Sequence, residues 1–133
     1  MNTELIAETW GAVDDPIAFV RDFYARFFER FPGYRPLFPR QLDRGHLEKM
    51  VRTMALVARM SEDRGIIAPH VHKLGAAHKP YALGPKDLAN FKAVFVEMLG
   101  QRVGAGWTPA AAKAWDQAFE EVIIPLMREG GAG

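Results

Sequence analysis

The chain has 133 residues, 17 Lys and Arg against 16 Asp and Glu, and 49% hydrophobic content. The charges are spread along the chain, so no basic stripe suits a nucleic acid and no charged block forms a tail. Cysteine is absent, which excludes disulfides and thiolate metal sites and fits a reducing compartment. The start MNTELIAETW lacks a secretory signal's basic end and apolar run, and no stretch approaches the about 20 apolar residues that span a bilayer. The expectation is a soluble, cytoplasmic protein of one domain, residues 1–133, burying about 68–70% of its unfolded surface.

Proline and glycine punctuate long stretches of helical period. A short helix is expected over about Thr3 to Val13, with Thr3 as N-cap. In DDPIAFVRDFYARFFERFPGY, Asp15 caps and Pro16 takes the first helical position, where its missing N–H costs nothing. Val20, Phe23, Tyr24, Phe27 and Phe31 follow at helical spacing, and Pro32–Gly33 stop the helix. YRPLFPRQL reads as a corner. DRGHLEKMVRTMALVARM is the next helix, with His46, Met50, Met54 and Val57 on one face. SEDRG breaks it, and Pro69 is read as opening a helix on which Val71, Leu74, His78 and Tyr81 share a stripe until Pro80 blocks continuation. Gly84–Pro85 open a helix carrying Leu88, Phe91, Phe95, Met98 and Leu99, which ends around GQRVGAG. Thr108–Pro109 start the last helix, whose end Pro125 is expected to kink. No segment alternates with period two, so the fold class is all-α, with layered helices rather than an up-and-down bundle.

Two helices each turn one histidine inward, His46 and His78, and a third turns Tyr24 inward. An imidazole buried without partners leaves a donor and an acceptor unsatisfied, at a cost of about 1–3 kcal/mol. With Phe23, Phe28, Phe38, Met50, Met54, Leu74 and Phe95 also inward, the pattern describes an apolar cavity on which three polar groups converge. A neutral imidazole on an apolar face suits the iron of a haem, a flat group that needs a slot between helices. Gly75, three residues before His78, lets something approach that helix closely. No H-x-x-x-H pair on one face suits zinc. His70 and His72 lie off the stripe and read as solvated. The plain alternative is a helical protein in which both inward histidines are structural.

LGAAHKPYAL resembles the proximal segment of bacterial single-domain globins and of the haem domain of flavohaemoglobins, where a similar L-G-x-x-H-x-x-Y-G-V run carries the iron-ligating histidine. FYARFFERFPGYRPLF resembles the family's second helix and following corner. HLEKMVRTMALV resembles the distal helix, and LGQRVGAGWTPAAAKAWDQAF the turn into the last helix. The resemblance covers nearly the whole chain and rests on the order and spacing of these segments. It implies haem b, with His78 as the proximal ligand, Phe38 wedged against the haem, and Tyr24 and His46 on the distal side. Met50 then sits one turn beyond His46, Lys49 reaches a propionate, and Leu74, Tyr81, Leu83 and Phe91 line the haem. Departures are Ala77 where many bacterial relatives have arginine, Leu88 where flavohaemoglobins have tyrosine, and His46 for the usual glutamine. With the chain closing at Gly133, no flavin or nicotinamide domain is expected to follow.

The resemblance implies reversible binding of O2 and other diatomic gases such as NO and CO. NO dioxygenase-type activity would depend on a separate reductase, and whether the protein is an enzyme stays open. His46 either donates to the gas or ligates the iron when no gas is bound. A haem-based gas or redox sensor acting through a partner protein is the alternative function.

Overall fold

A computed structural model describes residues 1–132; Gly133, the last residue of the closing GGAG, lies outside the described residues. The order is α1 (Thr3–Gly11), α2 (Pro16–Arg30), a 3-10 corner (Pro32–Leu37), α3 (Arg44–Met60), α4 (Arg64–His78), a 3-10 turn (Lys79–Tyr81), α5 (Pro85–Val103), a 3-10 turn (Gly104–Gly106), α6 (Pro109–Ala118), a π turn (Phe119–Ile123) and α7 (Ile124–Gly130). The all-α expectation holds, with no strand among the described residues.

Side-chain oxygens set most helix starts by accepting the N–H groups that a first turn leaves unpaired. Asp15, Asp43, Asp63 and Thr108 accept from Ala18, His46, Ile66 and Ala111 in this way. Two expected boundaries are corrected. Asn2, not Thr3, caps α1, its Oδ1 accepting from Leu5 N at 3.1 Å, and α1 ends at Gly11. Pro69 does not open α4; Asp63 does, and Pro69 sits inside the helix. The carboxylate cap is the stronger local signal, and a proline one turn in removes only a bond near the already frayed start.

At the other end of the chain Pro125 meets the expected difficulty, since it has no N–H and its ring crowds the carbonyl four residues back. The chain answers with a π turn, in which Ile124 N–H reaches the Phe119 carbonyl five residues earlier, and α7 resumes beyond it.

The core is an aromatic web centred on Phe95 of α5. Its ring lies 5.5 Å from Phe19, 5.6 Å from Phe23, 5.8 Å from Trp115 and 5.5 Å from Phe119. Such pairs add about 0.5–1.5 kcal/mol beyond their buried area. The buried Trp115 indole N–H donates to Thr9 Oγ1 at 2.7 Å, and that hydroxyl donates to the Leu5 carbonyl at 2.6 Å, which fastens α1 to α6. α2 packs on α3 and α5, and α1 on α3 and α6.

α4 crosses α7 backbone to backbone. A Cβ on Gly75 would stand 2.2 Å from the Met127 carbonyl oxygen, and one on Gly130 would stand 2.2 Å from the His72 carbonyl oxygen. What approaches at Gly75 is therefore the last helix, so the expected close approach is there and its partner is backbone. A hydrogen bond flanks the crossing, His72 Nε2 lying 2.8 Å from Glu129 Oε2, so His72 is paired rather than merely solvated.

The crossing yields a direct test. Gly75→Ala forces backbone against backbone and is expected to cost about 1–3 kcal/mol or more. Gly11→Ala, where no atom lies within 4 Å of the new methyl, is expected to be neutral or slightly stabilising. Urea midpoints of the two variants check this; equal midpoints would show that the helices do not meet there.

Candidate functional site

α4 ends on His78. Pro80 cannot donate a helical bond, so the chain tightens into the 3-10 turn, and Ala82 then takes a left-handed φ of 51° that turns it toward α5. The His78 ring is half-buried, and its Nδ1 lies 2.8 Å from the Leu74 carbonyl oxygen one turn back. A carbonyl only accepts, so Nδ1 carries a proton, and in the neutral ring Nε2 presents its lone pair. Nε2 has no protein partner among the described residues. Such an imidazole is oriented for a metal by the bond at its other nitrogen. Tyr81 departs from expectation. Because the helix stops at His78, the stripe does not carry on, and Tyr81 is 48% exposed, its ring 6.1 Å from that of His78.

A second polar group of side chains comes from α2, the corner and α3. The Tyr24 ring lies 5.7 Å from His46, 5.4 Å from Phe38 and 5.8 Å from Phe28; Phe38 is 5.9 Å from His46. Tyr24 is only 6% exposed, and its hydroxyl finds no protein hydrogen bond among the described residues. Desolvation pushes its pKa up to about 12, so at neutral pH it remains a phenol able to donate. The His46 imidazole is held below its usual range, first by desolvation, with Lys49 and His78 acting in the same direction against Asp43. It is therefore neutral at neutral pH.

Around them Phe38, Met50, Leu74, Leu83 and Phe91 are half-buried against the core from five different segments. Phe28 is half-buried too. Phe23 and Phe95, expected to line the cavity, are instead 0% exposed within the aromatic web, and Met54 is also buried. Lys49 is exposed on the side of α3 next to His46. Two open clefts are present elsewhere. One of about 620 Å³ lies between the chain start and α6, and one of about 500 Å³ lies between the corner and the start of α5. The second takes in Tyr81 and Leu83, but His46, His78 and Tyr24 line neither.

The corner is tied to α5 by a group that sequence reasoning missed. The Tyr34 ring stacks on Phe27 at 4.9 Å, and its hydroxyl donates to Asp87 while accepting from Asn90 Nδ2 at 3.0 Å. Asp87 also accepts from Gly84 N–H at 2.8 Å, capping α5. The Tyr34 bond, then the Gly84 bond, holds this carboxyl below its usual range. The available signal was Gly-Pro-x-Asp, a helix start with an acidic residue at its third position.

The globin family model matches residues 21–126, from the first turns of α2 into α7. The chain is a globin. Membership implies a haem-binding, gas-binding protein in general. The donor set of this globin fits that cofactor. No group of three His, Asp or Glu side chains capable of holding a bare ion is found among the described residues. His78 offers a single oriented nitrogen, which suits an iron that brings four ligands of its own. The Tyr24 hydroxyl has no protein partner and is not sealed from solvent, and half-buried apolar side chains lie around both histidines. Ala77 of this globin is exposed and Leu88 is buried. No helix among the described residues is long and apolar enough to cross a membrane.

The Tyr24 environment makes stability depend on pH in a defined window. Between about pH 10 and about pH 12 the unfolded chain loses the phenolic proton first, so folding stability falls as pH rises, by up to about 2–3 kcal/mol. Urea midpoints of the wild type are expected to decline faster than those of Tyr24→Phe across that window, with a constant offset below it. Parallel pH profiles would mean that Tyr24 is not desolvated.

Proposed function

We propose that this globin is a bacterial single-domain type, related to the haem domain of flavohaemoglobins, that works in the cytoplasm as a reversible binder of O2 and other diatomic gases. The observation that carries the reading is the His78 Nδ1–H bond to the Leu74 carbonyl, because it leaves Nε2 aimed and unprotonated. His78 would hold haem b by that nitrogen. Phe38, Met50, Leu74, Leu83 and Phe91 would enclose its apolar area, Tyr81 would cover an edge, and Lys49 would meet a propionate. When bound, haem would supply an iron able to take a diatomic gas and to exchange one electron.

The protein's part is to hold His78 in a fixed orientation, keep water from the gas, and aim donors at it. Tyr24 carries the first donor. Its proton is secure at neutral pH, and a hydrogen bond to a polarised gas ligand is worth about 1.5–3 kcal/mol. At about 1.4 kcal/mol per tenfold, gas release slows by about one to two orders of magnitude. His46 is the second donor. With a separate reductase supplying one electron per cycle, the same pocket would support the net conversion NO + O2 + e⁻ → NO3⁻. A second state follows from the same residues, in which His46 would itself ligate the iron when no gas is present. A gas or redox sensor acting through a partner would exploit such a change.

Purified protein supplied with haem is expected to be red, with a Soret band and a CO difference spectrum, and His78→Ala to lose both, with added imidazole restoring them. A colourless wild type would overturn the reading. Tyr24→Phe is expected to raise the O2 off-rate about tenfold; an unchanged rate removes Tyr24 from the donor role. The split visible bands of a six-coordinate ferrous state, where present, are expected to disappear in His46→Leu, and their persistence would exclude His46 as the ligand.

A further inference from the structure

The two walls of the proposed haem site lie on stretches of chain that the core does not hold. No residue from 28 to 46 is fully buried, and this stretch carries Phe28, Phe38 and His46. No residue from 76 to 87 is fully buried either, and it carries His78, Tyr81 and Leu83. Segments with few buried apolar contacts open locally at far lower cost than a packed core does. The two stretches face one another across the cleft of about 500 Å³, the first with Tyr34 and Leu37, the second with Tyr81 and Leu83.

One side chain bridges them. The Tyr34 hydroxyl donates to Asp87 Oδ1 and accepts from Asn90 Nδ2 at 3.0 Å. Among the described residues no other hydrogen bond or ion pair joins residues 28–46 to residues 76–90. Both partners are held from behind. The Tyr34 ring lies flat on Phe27 at 4.9 Å, and Phe27 belongs to the buried face of α2. The other Asp87 oxygen accepts from Gly84 N–H at 2.8 Å, at the start of α5. Desolvation, then the bond to Asp87, hold the Tyr34 phenol above its usual range. It is the donor at neutral pH, and a phenol donating to a carboxylate makes a charge-assisted bond. The exposed pair of Arg30 with Glu97, at 3.0 Å, ties the end of α2 to α5 further along and contributes little.

We propose that the bond from Tyr34 to Asp87 is the latch of the haem site. Closed, it holds the corner against the start of α5; open, it lets the two stretches part so that haem enters or leaves. The inference rests on the reading that His78 holds haem. Tyr34 and Asp87 are then positioning residues: they touch neither iron nor gas, and they set how long the cofactor stays. Opening the latch breaks no contact among Phe19, Phe23 and Phe95, which lie outside both stretches. The site can therefore exchange its cofactor while the aromatic web stays folded.

The test uses the haem-loaded protein and Tyr34→Phe, which keeps the ring and removes the bond. Haem loss is read as transfer from the ferric protein to excess apomyoglobin, followed at the Soret band. Tyr34→Phe is expected to lose haem about 3- to 10-fold faster than the wild type. Thr9→Val, which removes the buried bond between α1 and α6, is expected to lower the urea midpoint and leave haem loss as it was. Hydrogen exchange gives a second readout at the amides of Tyr34, Phe38 and Ala82, which bond to the carbonyls of Phe31, Arg35 and Lys79. In Tyr34→Phe these amides are expected to exchange faster by a similar factor, with those of α6 unchanged. Haem loss from Tyr34→Phe within about twofold of the wild type overturns the latch. So does equal acceleration in Thr9→Val, which would tie haem loss to overall stability, and so does exchange that rises evenly through α6. A wild type that takes up no haem strikes the underlying functional reading, whereas a red wild type whose Tyr34→Phe variant keeps its haem strikes the latch alone.

Discussion

Where Gly75 rests on the Met127 carbonyl and Gly130 on that of His72, α4 and α7 touch through their backbones. Backbone contact has no rotamers to give way, so the position of α4 is set more rigidly there than side-chain packing would set it. His78 is one turn further along α4, and the Leu74 carbonyl that orients its ring belongs to the same helix. Placement of the helix and orientation of the ring are therefore separate devices acting in series. The first is made by two glycines and the second by one hydrogen bond.

The opposite wall is built differently. Tyr24, Phe28 and Phe38 hold one another edge-on or stacked, and the web continues from Tyr24 through Phe23 to Phe95 at the centre. Each ring fixes its neighbour's angle, so the phenol of Tyr24 is aimed by packing and not by a bond to its own oxygen. That leaves its donor free, and the same burial that holds the ring keeps the proton on it.

Much of this was legible in the chain. The start at Asp15–Pro16 followed from a cap and from the freedom of the first helical position, and those at Gly84–Pro85 and Thr108–Pro109 from the punctuation of the chain. The inward directions of His46, His78 and Tyr24 followed from period. Four things were not legible, each for a physical reason. Periodicity cannot separate a ring that lines a slot from one sealed in the core, so Phe23 and Phe95 were read with the wrong neighbours. It also runs past the end of a helix that a proline stops, which misplaced Tyr81. A glycine on a packed face announces a close approach without naming what approaches, and here only the fold could show that it was another helix. The link from Tyr34 to Asp87 spans 53 residues, and no local pattern reports a bond of that length.

The π turn before Pro125 has a consequence for the far end of the molecule. Each residue advances a helix by about 100°, so one surplus residue between Phe119 and Ile123 rotates the whole terminal segment by that amount relative to α6. Met127 and Gly130 face α4 only in the rotated phase. A shorter, unbroken helix would be locally more regular, yet it would bring other side chains round to that seam and push the two axes apart. The irregularity that proline imposes thus serves as an indexing step, matching the phase of the last helix to the glycine that awaits it.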